Sequence, residues 1–244
     1  MAVKRKKVGP ITLYNGDALK VLQALPDESF DALITDPPYS SGGQFRADRM
    51  ASTGTKYVNT GTKNMRHDFH GDNRDQRAYL TWMTMWLLEA WRTLKPGAPV
   101  CLFIDWRQYS VVTDALQAAG FMWKGTAVWD KTQGVRPHKG RFRAQAEFII
   151  WGSKGQMFKP APDAPVLPGV MTCSPQKGPK LHQVGKPEEV MRQVLKIAPP
   201  GARILEPFAG SSTTLLEAAR AGMSGVGIEL SPEYWEVSLE RISA

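Results

Sequence analysis

Segments of strand character alternate with segments of helical character along almost the whole chain, and this alternation is the tightest constraint on its fold. Short apolar runs rich in β-branched and aromatic residues stand at 11–14, 30–35, 100–104, 122–129, 146–151, 203–206 and 225–228. Between them, apolar side chains recur at helical spacing over 17–25, 76–94, 109–119, 187–197, 212–221 and 232–242. Such alternation argues for a parallel α/β sheet with helices packed against it. Several boundaries are chemically marked. Asp17 can cap the first helix, Pro96-Gly97 and Gly120 stop the second and third, and Pro187 opens the fourth. A length of 244 residues fits a single domain spanning 1–244, and no internal repeat is visible.

Two stretches break the rhythm. Residues 40–78 are rich in Ser, Thr, Gly, Asn and charge, without a sustained apolar period, and read as a mobile loop. Residues 152–181 contain Pro160, Pro162, Pro165, Pro168, Pro175 and Pro179, which forbid a helix of useful length and predict an extended strap. The formal net charge of +8 is unevenly spread. Residues 2–7, 40–78 and 130–159 together carry a net +12, so the rest of the chain is acidic. Lys4 to Lys7 read as a basic tail. Arg46 and Arg49 in one loop, and Arg136, Lys139, Arg141 and Arg143 in the other, are the candidate phosphate contacts of a DNA-binding surface. Cys101 and Cys173 are the two cysteines, which excludes a disulfide scaffold and argues against a metal site. No apolar run approaches the roughly 20 residues of a membrane helix. A soluble cytoplasmic protein without a membrane partner is the expectation.

Chemistry concentrates where two strands end. The strand at 30–35 runs directly into Asp36-Pro37-Pro38-Tyr39. Sites in open α/β sheets lie beyond the carboxyl ends of strands. Two prolines fix the backbone and remove two donors, so carbonyl oxygens and the Asp36 carboxylate remain as acceptors suited to an NH₂ group. Tyr39 adds a flat face for a planar base. Taken alone, this tetrapeptide could also be a tight turn with Asp36 as a local cap. The second segment is Ile204-Leu205-Glu206-Pro207-Phe208-Ala209-Gly210-Ser211-Ser212-Thr213-Thr214, in which a strand ends in an acid and small residues lead into a helix. Gly225-Val226-Gly227-Ile228-Glu229 then places a carboxylate about 20 residues on, the spacing used to hold ribose hydroxyls in nucleotide-binding folds. The turn lacks the full Gly-x-Gly-x-x-Gly pattern, which disfavours a nicotinamide cofactor.

These segments resemble the S-adenosylmethionine-dependent DNA amino-methyltransferases that modify adenine N6 or cytosine N4. Asp36-Pro37-Pro38-Tyr39 is similar to the family's catalytic motif, and 204–214 to its cofactor motif, usually Asp-Pro-Phe-x-Gly-Ser-Gly. Here Glu206 replaces the usual Asp, and Ser212 the usual second Gly. The catalytic motif precedes the cofactor motif, as in the family's β group. The resemblance therefore implies a doubly wound, mostly parallel, Rossmann-like methyltransferase sheet, circularly permuted, with helices on both faces. By resemblance, Glu206, Phe208, Gly210, Ser211 and Ser212 surround the methionine end of S-adenosylmethionine, and Glu229 holds its ribose. Asp17 and Ala18 meet its adenine, while His182 and Lys186 close the methionine site. Segments 129–131 and 147–151 are weaker family matches, equally readable as core tryptophans and surface charge.

What this implies is methyl transfer to DNA in a bacterial or phage context. Asp at position 36 points to adenine N6, with cytosine N4 as the alternative and a non-catalytic nucleic-acid binder behind it. An RNA or protein amide methyltransferase usually carries Asn first and the opposite motif order. Family members often pair, so a homodimer and a restriction endonuclease are candidate partners. Strap 152–181 occupies the family's target-recognition region. It is too short to present more than a few base contacts, so a short or relaxed target sequence is expected.

Overall fold

A computed structural model describes residues 3–40, 74–135, 137, 139–160, 162–175 and 185–244. Among these residues nine strands form one sheet: β1 (Lys4–Val8), β2 (Ile11–Asn15), β3 (Ala32–Thr35), β4 (Pro99–Ile104), β5 (Met122–Asp130), β6 (Ala146–Ser153), β7 (Val170–Thr172), β8 (Arg203–Glu206) and β9 (Ser224–Glu229). Their order across the sheet is β1-β2-β9-β8-β3-β4-β6-β5-β7. The run from β2 through β9, β8 and β3 to β4 is parallel, as expected. Both ends of the sheet add antiparallel pairs, β1 with β2, and β6 with β4 and β5. The two strands that carry the second motif, β8 and β9, are late in the chain yet sit between β2 and β3.

Alternation along each central strand feeds two cores. Leu33, Val100, Leu102 and Ile104 face one side, where α1 (Ala18–Ala24), α2 (Gln76–Thr93) and α3 (Tyr109–Ala118) pack. Ala32, Ile34, Cys101 and Phe103 face the other, covered by α4 (Glu188–Leu195), α5 (Thr213–Arg220) and α6 (Pro232–Ser243). Helix α2 starts because the Asp75 carboxylate accepts from the amides of Arg77 and Ala78 at 3.1 and 2.9 Å. Its buried stripe, Tyr79, Met83, Trp86, Leu87 and Ala90, keeps the i, i+4, i+7 spacing of a single face. Truncating the fully buried Trp86 to Ala would cost about 3–5 kcal/mol. On the other face α5 lies so close to β9 that a Cβ on Gly227 would stand 2.5 Å from Leu215 Cδ1 and 2.7 Å from Leu13 Cδ2. A larger residue there would push both leucines out of place.

Three expectations need correction. Lys4 to Lys7 are not a tail. They form edge strand β1, in register with β2 from Lys4↔Asn15 to Val8↔Ile11, and lysines on an edge discourage further strand pairing. The loop reading of 40–78 runs too far, because residues 76–78 already belong to α2; residues 41–73 lie outside the described part. The strap is not wholly irregular. Residues 170–172 form β7, parallel to β5. Before that, the Gly97 amide donates to the Lys154 carbonyl at 2.7 Å, which pins the strap's beginning to the amino end of β4, away from the carboxyl ends of the central strands.

Candidate active site

The parallel pairing of β3 with β8, Leu33 opposite Leu205, brings the two motifs side by side at the carboxyl ends of their strands. The Thr35 hydroxyl donates to Glu206 Oε1 across this seam at 2.6 Å. Beyond it opens a cavity of about 570 Å³, lined from both motifs and from the ends of β2, β5, β6 and β9.

One pole of the cavity holds carboxylates without a salt-bridge partner among the described residues. Burial pushes the Glu206 carboxyl up to about 8, against hydrogen bonds from the Thr214 and Thr35 hydroxyls. Burial likewise pushes Glu229, at the end of β9, up to about 7. The Gly210 and Ser231 amides each donate to one Glu229 oxygen at 2.8 Å, which fixes its orientation. Asn15 Nδ2 supports the same corner through the Glu229 carbonyl at 2.9 Å. Phe208 forms an aromatic wall, 5.0 Å from the Trp86 ring and 5.4 Å from Trp82. The Arg74 guanidinium lies 4.3 Å from the other partner of that wall, Trp82.

The other pole is a buried charge cluster. Lys186 Nζ reaches Asp36 Oδ2 at 2.6 Å and Glu147 Oε1 at 2.8 Å, and Lys131 Nζ reaches Glu147 Oε2 at 3.1 Å. Two ammonium groups thus balance two carboxylates. Burial alone would raise Glu147, but Lys186 and Lys131 overrule it and hold the carboxyl down at about 2. Burial would discharge Lys186, yet Asp36 and Glu147 raise its pKa well above the ordinary lysine value. Burial pushes the Asp36 carboxyl up, with Lys186 opposing and Glu147 adding to the rise. The Tyr39 hydroxyl donates to Glu147 Oε1 at 2.7 Å, and Lys186 sits over one face of its ring at 5.0 Å. Asp36 Oδ1 is buried in the cavity wall and accepts no hydrogen bond from the described residues. What the arrangement offers is one rigid acceptor oxygen, prolines on either side of a fixed carbonyl, and an aromatic ring clamped at its hydroxyl.

Most residues singled out from sequence meet in this cavity: Asp17, Ala18, Asp36, Pro37, Pro38, Tyr39, Lys186, Glu206, Phe208, Gly210, Ser211 and Glu229. Asp17 also caps α1, accepting from the Lys20 amide at 3.1 Å, so both of its expected roles are compatible. Lys186 touches the Asp36 pole, where closure of the methionine site was expected. Ser212 does not line the cavity. It is fully buried, its hydroxyl lacks a partner among the described residues, and its backbone takes φ +58°, a left-handed conformation that suits glycine. Arg143 is a strut: its Nη1 donates to the carbonyls of Gln133 and Val135 at 2.8 and 3.1 Å. Lys139 and Arg141 are exposed. His182, Arg46, Arg49 and Arg136 lie outside the described residues. Sequence reading missed Glu147 and Lys131 as parts of the site. A lone acid opening the apolar run 148–151 was the available signal.

Comparison with known proteins agrees with this geometry. The chain is 27% identical over 230 residues to YubD of Escherichia coli (strain K12), covering 94% of this chain and 88% of that protein. It is 26% identical over 254 residues to the type II methyltransferase M.HpaI of Haemophilus parainfluenzae, covering 95% and 74%. The crystal structure of the M1.HpyAVI–SAM complex superposes with a TM-score of 0.70 at 22% identity, over 96% of this chain and all of that one. The cytosine-N4-specific PvuII DNA methyltransferase superposes with a TM-score of 0.71 at 18% identity, over 96% and 87%. Residues 30–240 match the DNA methylase family of N6 and N4 methyltransferases, and the chain belongs to that family.

Proposed function

We propose that the protein transfers a methyl group from S-adenosylmethionine to the exocyclic N6 amine of adenine in DNA. The observation that carries this reading is Asp36 Oδ1, buried in the cavity wall and without a donor among the described residues, next to a carboxylate oxygen already held by Lys186. An acceptor kept open in this way calls for an N–H from substrate.

The cofactor fits the opposite pole. Glu206 is a buried acid and Glu229 a half-buried one, neither has a countercharge among the described residues, and a cationic ligand with hydroxyl donors supplies both missing partners. Phe208 and Asp17 complete that end. When bound, S-adenosylmethionine supplies an electrophilic sulfonium methyl group.

The chain's own residues do the rest. An exocyclic amine is a poor nucleophile because its lone pair is delocalised into the ring. Asp36 Oδ1 and the Pro37 carbonyl accept its two hydrogens and draw the nitrogen toward tetrahedral geometry. Lys186 keeps the second Asp36 oxygen from rotating into the same role. The proton leaves to Asp36 or onward to water. Positioning and fixed electrostatics provide the acceleration. A stacked base cannot reach this depth, so the target must leave the helix. Tyr39 lines the cavity with its hydroxyl held by Glu147, and its ring is the surface offered to the displaced base.

Asp36 favours adenine, because Ser at this position is the cytosine pattern in the family resembled. The strap reaches the cavity only through Pro175 among its described residues, which supports a short target. Transfer of labelled methyl from S-adenosylmethionine to plasmid DNA tests the reaction, and nucleoside mass spectrometry tests the base. Full activity of Asp36→Ala would refute the assignment of the acceptor. N4-methylcytosine as the sole product would refute the choice of adenine.

A further inference from the structure

The connection from β5 to β6 has a feature that methyl transfer as described leaves unused. Its stem is tied together: Asp130 Oδ1 accepts from the Thr132 amide at 2.8 Å and from Gln145 Nε2 at 3.0 Å, and the Lys131 amide donates to the Gln145 carbonyl at 2.8 Å. Higher up, Arg143 bonds the carbonyls of Gln133 and Val135 across the loop. Thr132 also pairs with the Ser174 hydroxyl at 2.8 Å. One arm, at Gly134 and Val135, walls the cavity. The other arm carries Phe142, whose side chain is fully exposed, with exposed Lys139 and Arg141 beside it.

Isolated exposed apolar side chains are ordinary. Phe142 differs in its setting. It stands among cations on a braced loop, and that loop forms part of the wall of the pocket a base must enter. Trp106 is also exposed near the cavity, but its ring already carries the Arg107 guanidinium at 5.5 Å, itself paired with Asp105 at 2.8 Å. The Phe142 ring has no aromatic or cationic partner among the described residues, and the exposed cations Lys139 and Arg141 precede it on the same arm. Apolar rings presented this way unstack base steps and stabilise the distorted duplex.

We propose that Phe142 is a stacking wedge: with duplex phosphates on Lys139 and Arg141, its ring enters the base stack and fills the gap left when the target base moves into the cavity. The inference rests on the DNA-methylation reading above. Phe142 is a positioning residue in this role, because it touches neither the reacting amine nor the methyl donor.

A substrate swap distinguishes a wedge from a general DNA contact. Phe142→Ala, Phe142→Leu and the wild type are compared on a duplex carrying the mapped target, paired normally or placed opposite a mismatch. On the paired duplex Phe142→Ala should lose roughly tenfold or more in kcat/KM, with Phe142→Leu retaining most activity. On the mismatched duplex, where opening the pair is already easy, Phe142→Ala should return to within roughly threefold of wild type. Equal loss on both substrates, or no loss on either, overturns the wedge. A 2-aminopurine at the target position gives a second readout independent of methyl transfer. Its fluorescence should rise on binding the wild type and stay low with Phe142→Ala. If the wild type brightens 2-aminopurine but methylates no DNA, the methylation reading fails while the wedge stands.

Discussion

Lys186 Nζ lies 2.6 Å from Asp36 Oδ2, although 150 residues separate the two in sequence. The contact joins the segment before α4 to the end of β3, and through Glu147 to β6. Removing the ammonium leaves two buried carboxylates facing each other, with Lys131 alone to compensate. Breaking a buried pair from one side costs about 3–5 kcal/mol, so Lys186→Gln should lower stability by that order in denaturant unfolding. It should also move the acid limb of the rate profile. Lys186 opposes the burial that raises Asp36, so without it Asp36 protonates at higher pH. The fall in kcat/KM on the acid side should then begin at higher pH than in the wild type. An unmoved acid limb would show that Lys186 does not set the Asp36 charge.

Glu206 and Glu229 link pH to cofactor binding. Burial raises both acids, to about 8 and about 7. A carboxyl raised by folding holds its proton better in the native state than in the unfolded one, so stability falls as pH rises. The fall begins near the ordinary glutamate range and levels off above pH 8. A cation in the cavity favours the ionised form and should release protons on binding. Calorimetry of S-adenosylmethionine in two buffers of different ionisation enthalpy should detect that release below pH 8. S-adenosylhomocysteine, which lacks the sulfonium charge, should release fewer. Equal proton counts for the two ligands would separate these acids from the sulfonium.

Ser212 takes a conformation that L-residues adopt with strain and buries a hydroxyl without a partner among the described residues. Ser212→Gly relieves both, against the added chain entropy of glycine in the unfolded state. A net gain of about 1 kcal/mol is expected, which is a rise of about 2–4 °C in melting temperature for a chain of this size. Because Ser212 does not line the cavity, affinity for S-adenosylmethionine should hardly change. Calorimetry and thermal unfolding of the same preparation check both halves.

Arg141 and Arg143 are neighbours by number and differ in role. Arg141→Ala removes an exposed cation and should flatten the plot of log affinity against log salt by about 0.9 for each DNA phosphate that it ceases to neutralise. Arg143→Ala removes the strut from its own arm of the loop to the Gln133 and Val135 carbonyls on the other. It should weaken DNA binding through loop disorder, with faster amide exchange at 132–135. Identical salt slopes and identical exchange for the two variants would show that the distinction is wrong.

What the sequence made legible follows from how local each signal is. Asp36, Glu206 and Glu229 each end an apolar strand run, and turn chemistry follows within a few residues, so motif and position can be read together. Asp17 and Asp75 cap helices through amides two or three residues away. Strand β7 has three residues and is held through pairing with β5, more than 40 positions earlier, so it left no local pattern. Strand β1 misled for the opposite reason. Four consecutive cations have poor strand propensity, and the register with β2 overrides it. Glu147 and Lys131 become site residues only when β5 and β6 pair, with Trp129 opposite Glu147, and the segment before α4 delivers Lys186 between them.

The position of β8 and β9 between β2 and β3 has a consequence for synthesis on the ribosome. The N-terminal hairpin of β1 and β2 has no lateral neighbour until residues 203–229 have left the exit tunnel. Until then β3 lacks one flank, and the Glu206–Glu229 pole of the cavity is unformed. Long-range pairing of this kind is slow, because loop closure precedes any reward from the contacts. The nascent chain therefore emerges as an open half-sheet and becomes competent to bind cofactor only once its last strands slot into the middle. Ribosome-bound chains stalled before residue 203 should be cleaved readily within β1–β2, and chains released at full length should resist.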